Sequence, residues 1–392
     1  MNQGEGVSGL SAATQVVHGG RTPDPLTQAL VPSLPLSIVF GHGNQAGYAY
    51  GRDHNRNWES LERALALLEG GAEALTFASG MAAIAAVFET CAVGAKVVIA
   101  EDAYTGTREL ARHLSQQGRL EVVSVVATDL ERVRAACAGA RLLVIESLGN
   151  PLLSVPDIRA CADIAREAGA LTLVDNTFTT PLLVRPLTLG ADLVVHSVSK
   201  FLGGHSDLML GAVIVTDPEL LAGLRYCRSN FGSVPGQLET WLALRGLRTL
   251  DVRLQRQVTS AQWLAEELNR LPKIQRVHYP GLPQHPQHQL ARRQMPAGFG
   301  AMLSLELDCG AEEAESVCQA TRIWTNATSL GSVESLLERR ARWAGDDYLP
   351  PGLLRLSVGI EDKEDLLSDL VQALERLSPE EEPSAAVPPP AG

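Results

Sequence analysis

The sequence lacks any long apolar segment. Its apolar runs, of which 142–145 and 171–174 are typical, are far shorter than the roughly 20 residues that a membrane-spanning helix needs. Residues 1–6 contain neither the basic opening nor the apolar stretch of a secretory signal. These two absences predict a cytoplasmic protein that has no membrane partner.

Paired cysteines and an excess of positive charge are also absent. The six cysteines are scattered without any C-x-x-C pair, which is typical of reduced thiols rather than of a disulfide framework or a zinc site. We therefore expect no metal. The formal net charge of −12 argues against a general nucleic-acid-binding protein, because such proteins gain affinity from Lys and Arg side chains that contact phosphates.

The pattern of apolar residues predicts an α/β domain. With 392 residues and 45% hydrophobic content, the chain is long enough for two domains. A helical pattern over 59–69 is followed by seven short apolar runs, most of them separated by segments of helical period. This alternation predicts a mostly parallel seven-stranded sheet covered by helices. The predicted strands are 74–77, 96–100, 122–126, 142–146, 171–175, 192–196 and 211–216.

A second, smaller α+β domain is expected to follow. A long helical pattern over 250–271 precedes strand patterns at 300–307 and 353–358. The last residues are rich in glutamate and proline, which predicts a disordered tail. The expected organisation is an N-terminal arm, an α/β domain, a C-terminal α+β domain and the tail, with the bounds 1–59, 60–249, 250–378 and 379–392.

Candidate site residues come directly after predicted strands. Glu146 and Asp175 each end a strand, and Ser79, Gly80 and Met81 join a strand to an alanine-rich helix. Ligands of open α/β sheets bind beyond the carboxyl ends of the strands. Free N–H groups at a helix start also form an anion site, which glycine lets a ligand approach closely. Taken alone, however, the 79–81 segment is better explained as a tight turn without a ligand.

Two further segments have the chemistry of a site. Asp175 is a carboxylate at the end of a buried strand and needs a cationic or hydrogen-bond-donor partner, although a helix N-cap is the simpler explanation. Ser197, Ser199 and Lys200 follow another buried strand. Serine hydroxyls can donate to phosphate, and a desolvated lysine becomes an imine-forming amine. An exposed loop lysine is the alternative, which the adjoining 203–204 Gly-Gly pair and the serines disfavour.

Six motifs, in this order, resemble the Cys/Met-metabolism family of pyridoxal-phosphate enzymes, the transsulfuration group. The resemblance covers nearly the whole chain and implies a fold type I pyridoxal-phosphate transferase with pyridoxal 5′-phosphate as its cofactor. The motifs are 48–52 (Tyr-Ala-Tyr-Gly-Arg), 77–81 (Phe-Ala-Ser-Gly-Met), 101–107 (Glu-Asp-Ala-Tyr-Thr-Gly-Thr), 174–177 (Val-Asp-Asn-Thr), 197–207 with Lys200, and 355–359 (Arg-Leu-Ser-Val-Gly).

The resemblance also implies how the cofactor is bound. Lys200 would hold it as a Schiff base, Asp175 would pair with its pyridine nitrogen, and Tyr104 would stack on its ring. The implied assembly is a homotetramer of two catalytic dimers, in which each site takes residues from two subunits. The phosphate would be bound by Ser79, Gly80, Met81, Ser197 and Ser199 and, from the neighbouring subunit, by Tyr50 and Arg52.

The implied substrate is a small sulfur-containing amino acid. Arg355 would bind its α-carboxylate, with Asn150 and Ser329 nearby, although without the resemblance Arg355 would be interpreted as a surface cation. Lys200 would move protons between Cα, Cβ and the cofactor. Tyr104 would take a proton from the substrate ammonium group and later protonate the leaving group.

Fewer residues indicate which reaction the protein catalyses than indicate its family. Gly106 stands where methionine γ-lyases carry cysteine, and Thr328 stands where many cystathionine γ-lyases and γ-synthases carry glutamate. The stretch 328–343 resembles a bacterial branch usually described as cystathionine γ-lyases, so the sequence predicts that activity. The alternatives are a cystathionine γ-synthase, then a cystathionine β-lyase or a methionine γ-lyase, and outside enzymes a catalytically silent binding relative.

One departure from the family's pattern lies just after Arg52. Arg56 and Asn57 stand where the family usually has proline and threonine. Since proline restricts the backbone, we expect its loss to relax this segment, which by the resemblance crosses between subunits.

Overall fold

The computed structural model describes residues 7–21, 23 and 27–377. The predicted tail, 379–392, lies outside the described residues. Two sheets form the frame, one of seven strands and one of five. Within the described ranges, no helix is long and apolar enough to cross a membrane.

The larger sheet is mostly parallel, which confirms the prediction. Its strands are β1 (Glu73–Phe77), β2 (Ala95–Ala100), β3 (Leu120–Val125), β4 (Leu142–Glu146), β5 (Leu171–Asp175), β6 (Leu193–Ser197) and β7 (Gly211–Val215). They lie in the order β1-β7-β6-β5-β4-β2-β3, and the pairs that β7 makes with β1 and β6 are antiparallel. All seven strands start and end within two residues of the predicted bounds. The central strands β4 and β7 are buried along their whole length, as is typical of a sheet covered on both faces.

Helices precede, connect and follow these strands, and most of them pack against the sheet. They are α1 (Ala12–His18), α2 (Arg56–Glu69), α3 (Gly80–Glu89), α4 (Thr105–Gln116), α5 (Leu130–Cys137), α6 (Ile158–Glu167), α7 (Thr180–Leu183), α8 (Pro218–Phe231) and α9 (Gln237–Leu247). Most begin after a capping side chain, because a helix start leaves N–H groups without an intrahelical acceptor. Asp157 caps α6 and Asp217 caps α8 in this way.

Arg56 and Asn57, which replace the family's usual proline and threonine, lie at the start of a helix. Arg56 is the first residue of α2, and the Asn55 side chain caps this helix by accepting a hydrogen bond from the Asn57 amide at 2.9 Å. The helix ends at Gly70, whose φ of 74° lies in the left-handed region. The N-cap thus orders the start of α2 in a segment without proline, and the expected effect of the missing proline stays a prediction.

The second part of the chain is built on the five-stranded sheet. Its elements are α10 (Leu250–Leu268), β8 (Ile274–His278), α11 (His288–Gln294), β9 (Met302–Leu307), α12 (Ala311–Ala320), β10 (Thr325–Asn326), β11 (Leu336–Arg339), β12 (Leu353–Ser357) and α13 (Lys363–Leu374), with strand order β10-β11-β12-β9-β8. The strands β9 and β12 were predicted. The strands β8, β10 and β11 were not, because they are short and carry polar residues that hide the strand pattern.

The helix α10 joins the two hydrophobic cores. Leu250 and Leu254 pack in the core of the larger sheet, whereas Leu264 and Leu268 pack in the core of the smaller one. The domain boundary at residues 249 and 250 stays a prediction, since a single helix contributes to both cores.

The arm before α2 has little regular structure among its described residues. A single β-bridge joins Val39 to Tyr50, and the Trp241 indole donates a hydrogen bond to the Pro32 carbonyl at 3.0 Å. Several of its large apolar side chains face outward, and Leu36 is 80% exposed. Such a stretch of exposed apolar surface is typical of a segment that contacts a partner.

Candidate active site

A cavity of about 570 Å³ lies at the carboxyl ends of the parallel strands, where the sequence placed the site. Both parts of the chain line it. The larger sheet and its helices contribute Ser79, Gly80, Met81, Tyr104, Glu146, Asn150, Asp175, Ser197, Ser199 and Lys200, and the second part contributes Thr328, Ser329, Arg340 and Arg355.

Lys200 lies three residues beyond the end of β6 and is part-buried. Its Nζ donates a hydrogen bond to Ser329 Oγ at 2.6 Å. Burial and the nearby Arg355 cation lower the pKa of Lys200 to about 8, although the Glu338 carboxylate acts in the opposite direction. A substantial fraction of the amine is therefore neutral near physiological pH, as a nucleophile or a base requires.

Asp175 and Glu146 end adjacent strands and are paired in register, so their carboxylates lie side by side at the cavity wall. Burial raises the pKa of Asp175, against hydrogen bonds from Thr177. Burial and the charge of Asp175 raise the pKa of Glu146 well above its usual range. Glu146 accepts the Tyr104 backbone N–H. Neither carboxylate has an ion pair among the described residues, so this wall of the cavity favours a cationic ligand group.

The start of α3 forms a part of the cavity wall that favours an anionic group instead. Ser79 Oγ accepts the Ala82 amide at 3.0 Å, and the Gly80 and Met81 amides, as the first in the helix, have no intrahelical acceptor. A Cβ at Gly80 would lie 3.0 Å from Ser197 Cβ, so glycine lets α3 approach β6 closely. These groups are suited to an anion.

The hydroxyl of Ser199 has other partners. It donates to the Leu210 carbonyl at 3.2 Å and accepts the Leu210 amide at 2.9 Å. Since a hydroxyl has a single proton, Ser199 would have to release this carbonyl before it could donate to a ligand phosphate.

Tyr104 is the residue before α4 and is 44% exposed at the cavity. A Cβ added at Gly106 would lie 2.6 Å from its ring carbon Cε1 and 3.0 Å from Met81 Sδ. The absence of a side chain at position 106 therefore makes room for the tyrosine ring.

Arg355, on β12, is enclosed by polar partners. Its Nη1 donates to Asn150 Oδ1 at 3.0 Å, and its Nη2 donates to the Ser329 carbonyl at 3.3 Å and contacts the Glu338 carboxylate. Burial lowers the pKa of Arg355 to about 10, although Glu338 opposes the shift. The guanidinium thus stays charged at neutral pH in a cavity wall, which suits it to bind a carboxylate.

The comparison with known sequences decides the family. A family model described as Cys/Met metabolism PLP-dependent enzyme matches residues 13–375. The chain belongs to this family. The larger sheet, the second sheet and the cavity therefore form a pyridoxal-phosphate enzyme, as the motifs predicted.

Relatives in this family carry several activities. Cystathionine gamma-synthase from Mycobacterium tuberculosis is 42% identical, with 94% of this chain and 98% of the relative covered. Cystathionine gamma-lyase from Bacillus subtilis is 40% identical, with 94% and 100% covered. The crystal structure of cystathionine gamma synthase from Xanthomonas oryzae pv. oryzae in complex with cystathionine has a TM-score of 0.90 and 40% identity, and covers 93% of this chain and 98% of that one. The chain is thus similar to enzymes of sulfur amino acids.

The residues of the cavity fit pyridoxal phosphate. The free amides at the start of α3 match its phosphate, the Asp175 carboxylate matches its protonated pyridine nitrogen, and the neutral fraction of Lys200 matches its aldehyde. Every predicted site residue lines the cavity except Tyr50 and Arg52, which lie on the exposed arm with the Arg52 guanidinium 5.4 Å from the Tyr50 ring centre.

Sequence reasoning missed the buried charges behind Arg355. Glu338, Arg340 and Asp346 are no more than 4% exposed, and Arg340 lines the cavity. In the sequence, Arg340 belongs to the run 339–342, Arg-Arg-Ala-Arg, which is typical of an exposed segment. The regular spacing of a helix face or strand, which would reveal burial, is missing there.

Proposed function

We propose that this enzyme is a cystathionine γ-lyase, which converts cystathionine to cysteine, 2-oxobutanoate and ammonia. The observation that carries the proposal is the meeting of Lys200 and Arg355 in one cavity. Arg355 offers a guanidinium for the substrate carboxylate, and Lys200 offers an amine whose pKa is lowered to about 8. An amino acid bound through its carboxylate would present its Cα–H bond to this amine.

Each residue would have a defined task in this reaction. Arg355 and Asn150 would hold the α-carboxylate, and Lys200 would take the Cα proton and then move protons at Cβ. Tyr104 would protonate the departing sulfur. Pyridoxal phosphate, held by Lys200, Asp175 and the amides of α3, supplies an electron sink for the bonds at Cα when bound.

The choice of cystathionine and of γ-elimination has separate support. The stretch 328–343 resembles a bacterial branch usually described as cystathionine γ-lyases. The relative from Bacillus subtilis is named cystathionine gamma-lyase. At position 328, where the family resemblance implies glutamate, Thr328 donates to Glu338 Oε2 at 3.3 Å. A second carboxylate there would face Glu338, so threonine suits this cavity whichever of the two reactions it serves.

The test is incubation of the purified holoenzyme with cystathionine, followed by product identification. The proposal expects cysteine and 2-oxobutanoate in equal amounts. Homocysteine and pyruvate would instead identify a β-lyase. The Lys200→Ala variant is the control and should form neither pair of products.

A cystathionine γ-synthase is the second candidate. It is favoured by the Mycobacterium tuberculosis relative of that name, which is 42% identical over nearly the whole chain. Holoenzyme that leaves cystathionine intact but joins cysteine to an O-acylated homoserine would establish this activity in place of the first.

We also propose that the site is completed by a second copy of the chain, within a homotetramer of two catalytic dimers. Tyr50 and Arg52 lie outside the cavity of their own chain, and the arm that carries them exposes apolar side chains. Arg52→Ala and Lys200→Ala subunits, each inactive alone, should regain activity when mixed and reassembled, because some sites then receive both intact residues. No recovery, or a monomer in light scattering, would contradict the shared site.

We place the enzyme in the cytoplasm. The six cysteines are unpaired, and five of them are buried, which suits a reducing compartment. Fractionation of cells that express the chain, with a secreted and a cytoplasmic marker as controls, tests the location.

A further inference from the structure

A chain of buried ion pairs runs from Arg355 to the helix that follows Tyr104. Arg355 Nη2 contacts Glu338 Oε1, which also accepts Arg340 Nη1 at 2.9 Å. Arg340 Nη2 contacts Asp346 Oδ2, and Asp346 Oδ1 accepts Arg108 Nη2 at 2.6 Å. We call these five residues the charge chain.

Positive and negative side chains alternate along the charge chain, and its net charge is not zero. It contains three arginines and two carboxylates, which leaves a surplus of one positive charge. The side chains of Arg355, Glu338, Arg340 and Asp346 are at most 5% exposed, so water screens these four charges poorly, whereas the Arg108 side chain at the far end of the charge chain is 21% exposed. The positive charge that Arg355 offers to an anion in the cavity therefore depends on how far Glu338 neutralises it.

The Glu338 carboxylate is shared between Arg355 and Arg340. Its Oε1 atom is shared by Arg355 and Arg340, while its Oε2 accepts the Trp343 indole at 3.1 Å and the Thr328 hydroxyl at 3.3 Å. The more strongly Arg340 binds Glu338, the less Glu338 neutralises Arg355. Asp346 acts in the opposite direction, because it competes with Glu338 for Arg340.

We propose that Arg340 and Asp346 are positioning residues that set the affinity of Arg355 for the substrate α-carboxylate, acting through Glu338. Arg340 strengthens carboxylate binding, and Asp346 weakens it. The inference rests on the proposed role of Arg355 in binding the carboxylate. It gives the buried charges of the 338–346 segment a role in substrate recognition.

The experiment measures equilibrium binding of two matched ligands to the holoenzyme. These ligands are 2-aminobutyrate and propylamine, which differ by the carboxylate alone. Binding is followed through the visible absorption of the cofactor, so the result does not depend on which reaction the enzyme catalyses.

Two variants should shift the binding of 2-aminobutyrate in opposite directions. Arg340→Gln should raise its Kd about tenfold, because Glu338 then neutralises Arg355 fully. Asp346→Asn should lower its Kd by about threefold or more. Arg340 then pairs with Glu338 alone, so Glu338 neutralises less of the charge of Arg355. Propylamine should bind to both variants within about twofold of the wild type.

The controls separate electrostatics from structural damage. Arg340→Lys keeps the charge and should restore most of the affinity lost in Arg340→Gln. Arg342→Gln removes a neighbouring exposed arginine, whose side chain is 42% exposed, and should change neither Kd.

Three results would overturn the inference or its basis. Weaker binding of both ligands in both variants would assign the charge chain a purely structural role. An unchanged Kd of 2-aminobutyrate in Arg340→Gln and Asp346→Asn would show that Arg355 acts independently of the chain. If Arg355→Lys also left this Kd unchanged, the proposed role of Arg355 would itself fail.

Discussion

Lys200 and Ser329 are separated by 129 positions in the chain, and their side chains meet in the cavity, where Nζ donates to Oγ at 2.6 Å. Ser329 has a φ of 109°, in the region that favours glycine. The Arg355 guanidinium also donates a hydrogen bond to the Ser329 carbonyl at 3.3 Å. Backbone strain of this kind costs on the order of 1–3 kcal/mol and is common where a functional group must be held in place.

Two substitutions of Ser329 should have the same effect on activity but different effects on stability. Ser329→Ala should lower kcat/KM about threefold to tenfold, because Lys200 loses a hydrogen bond while the strain remains. Ser329→Gly should lose the same activity, yet exceed the alanine variant in free energy of unfolding by about 1 kcal/mol, because glycine accepts the backbone angle. Steady-state kinetics and denaturant unfolding of both variants test this prediction. Equal stabilities would argue against strain at this position.

The lowered pKa of Lys200 predicts the pH dependence of cofactor uptake. Burial disfavours the charged amine, so its neutral, nucleophilic form prevails above pH 8 instead of above the ordinary value of 10.5. The rate at which the apoenzyme takes up pyridoxal phosphate into a borohydride-reducible form should therefore rise with pH, reach half its maximum near pH 8 and then level off. A rate that still rises steeply above pH 9 would mean that the lysine is not desolvated.

The space beside Gly106 should be needed for activity but not for folding. A Cβ at this position would lie 2.6 Å from the Tyr104 ring, so Gly106→Ala must displace the ring or Met81. We expect kcat to fall about tenfold while the thermal midpoint is maintained, because the start of α4 accepts alanine. A Thr107→Ser variant, at the next position of the helix, is the control. Unchanged kcat in Gly106→Ala would show that Tyr104 can move without loss.

The cap of α2 should contribute to stability. Asn55→Ala removes the acceptor of the Asn57 amide and should lower the free energy of unfolding by about 1 kcal/mol. Asn55→Ser, which keeps a capping oxygen, should lose less. Denaturant titrations of the two variants give the difference, and equal losses would assign the effect to packing of the buried Asn55 side chain rather than to the cap.

The sequence by itself determined the elements of the larger sheet and the residues at their ends. A run such as Leu171–Asp175 encodes its own strand, because its apolar residues are suited to burial and its last residue is polar. In a parallel sheet the carboxyl ends of strands meet at one edge, so local pattern alone placed Glu146 and Asp175 together. The six ordered motifs then indicated the family.

Only the tertiary structure decided what surrounds Arg355. Asn150 lies 205 positions away from it, and Asp346 joins Arg340 to Arg108, 238 positions from Asp346, through contacts that no local period encodes. The burial of Arg340 depends on two carboxylates that long-range packing brings beside it, since an isolated buried charge would be too costly. Sequence pattern reports which residues are apolar, whereas packing decides which charges are enclosed together.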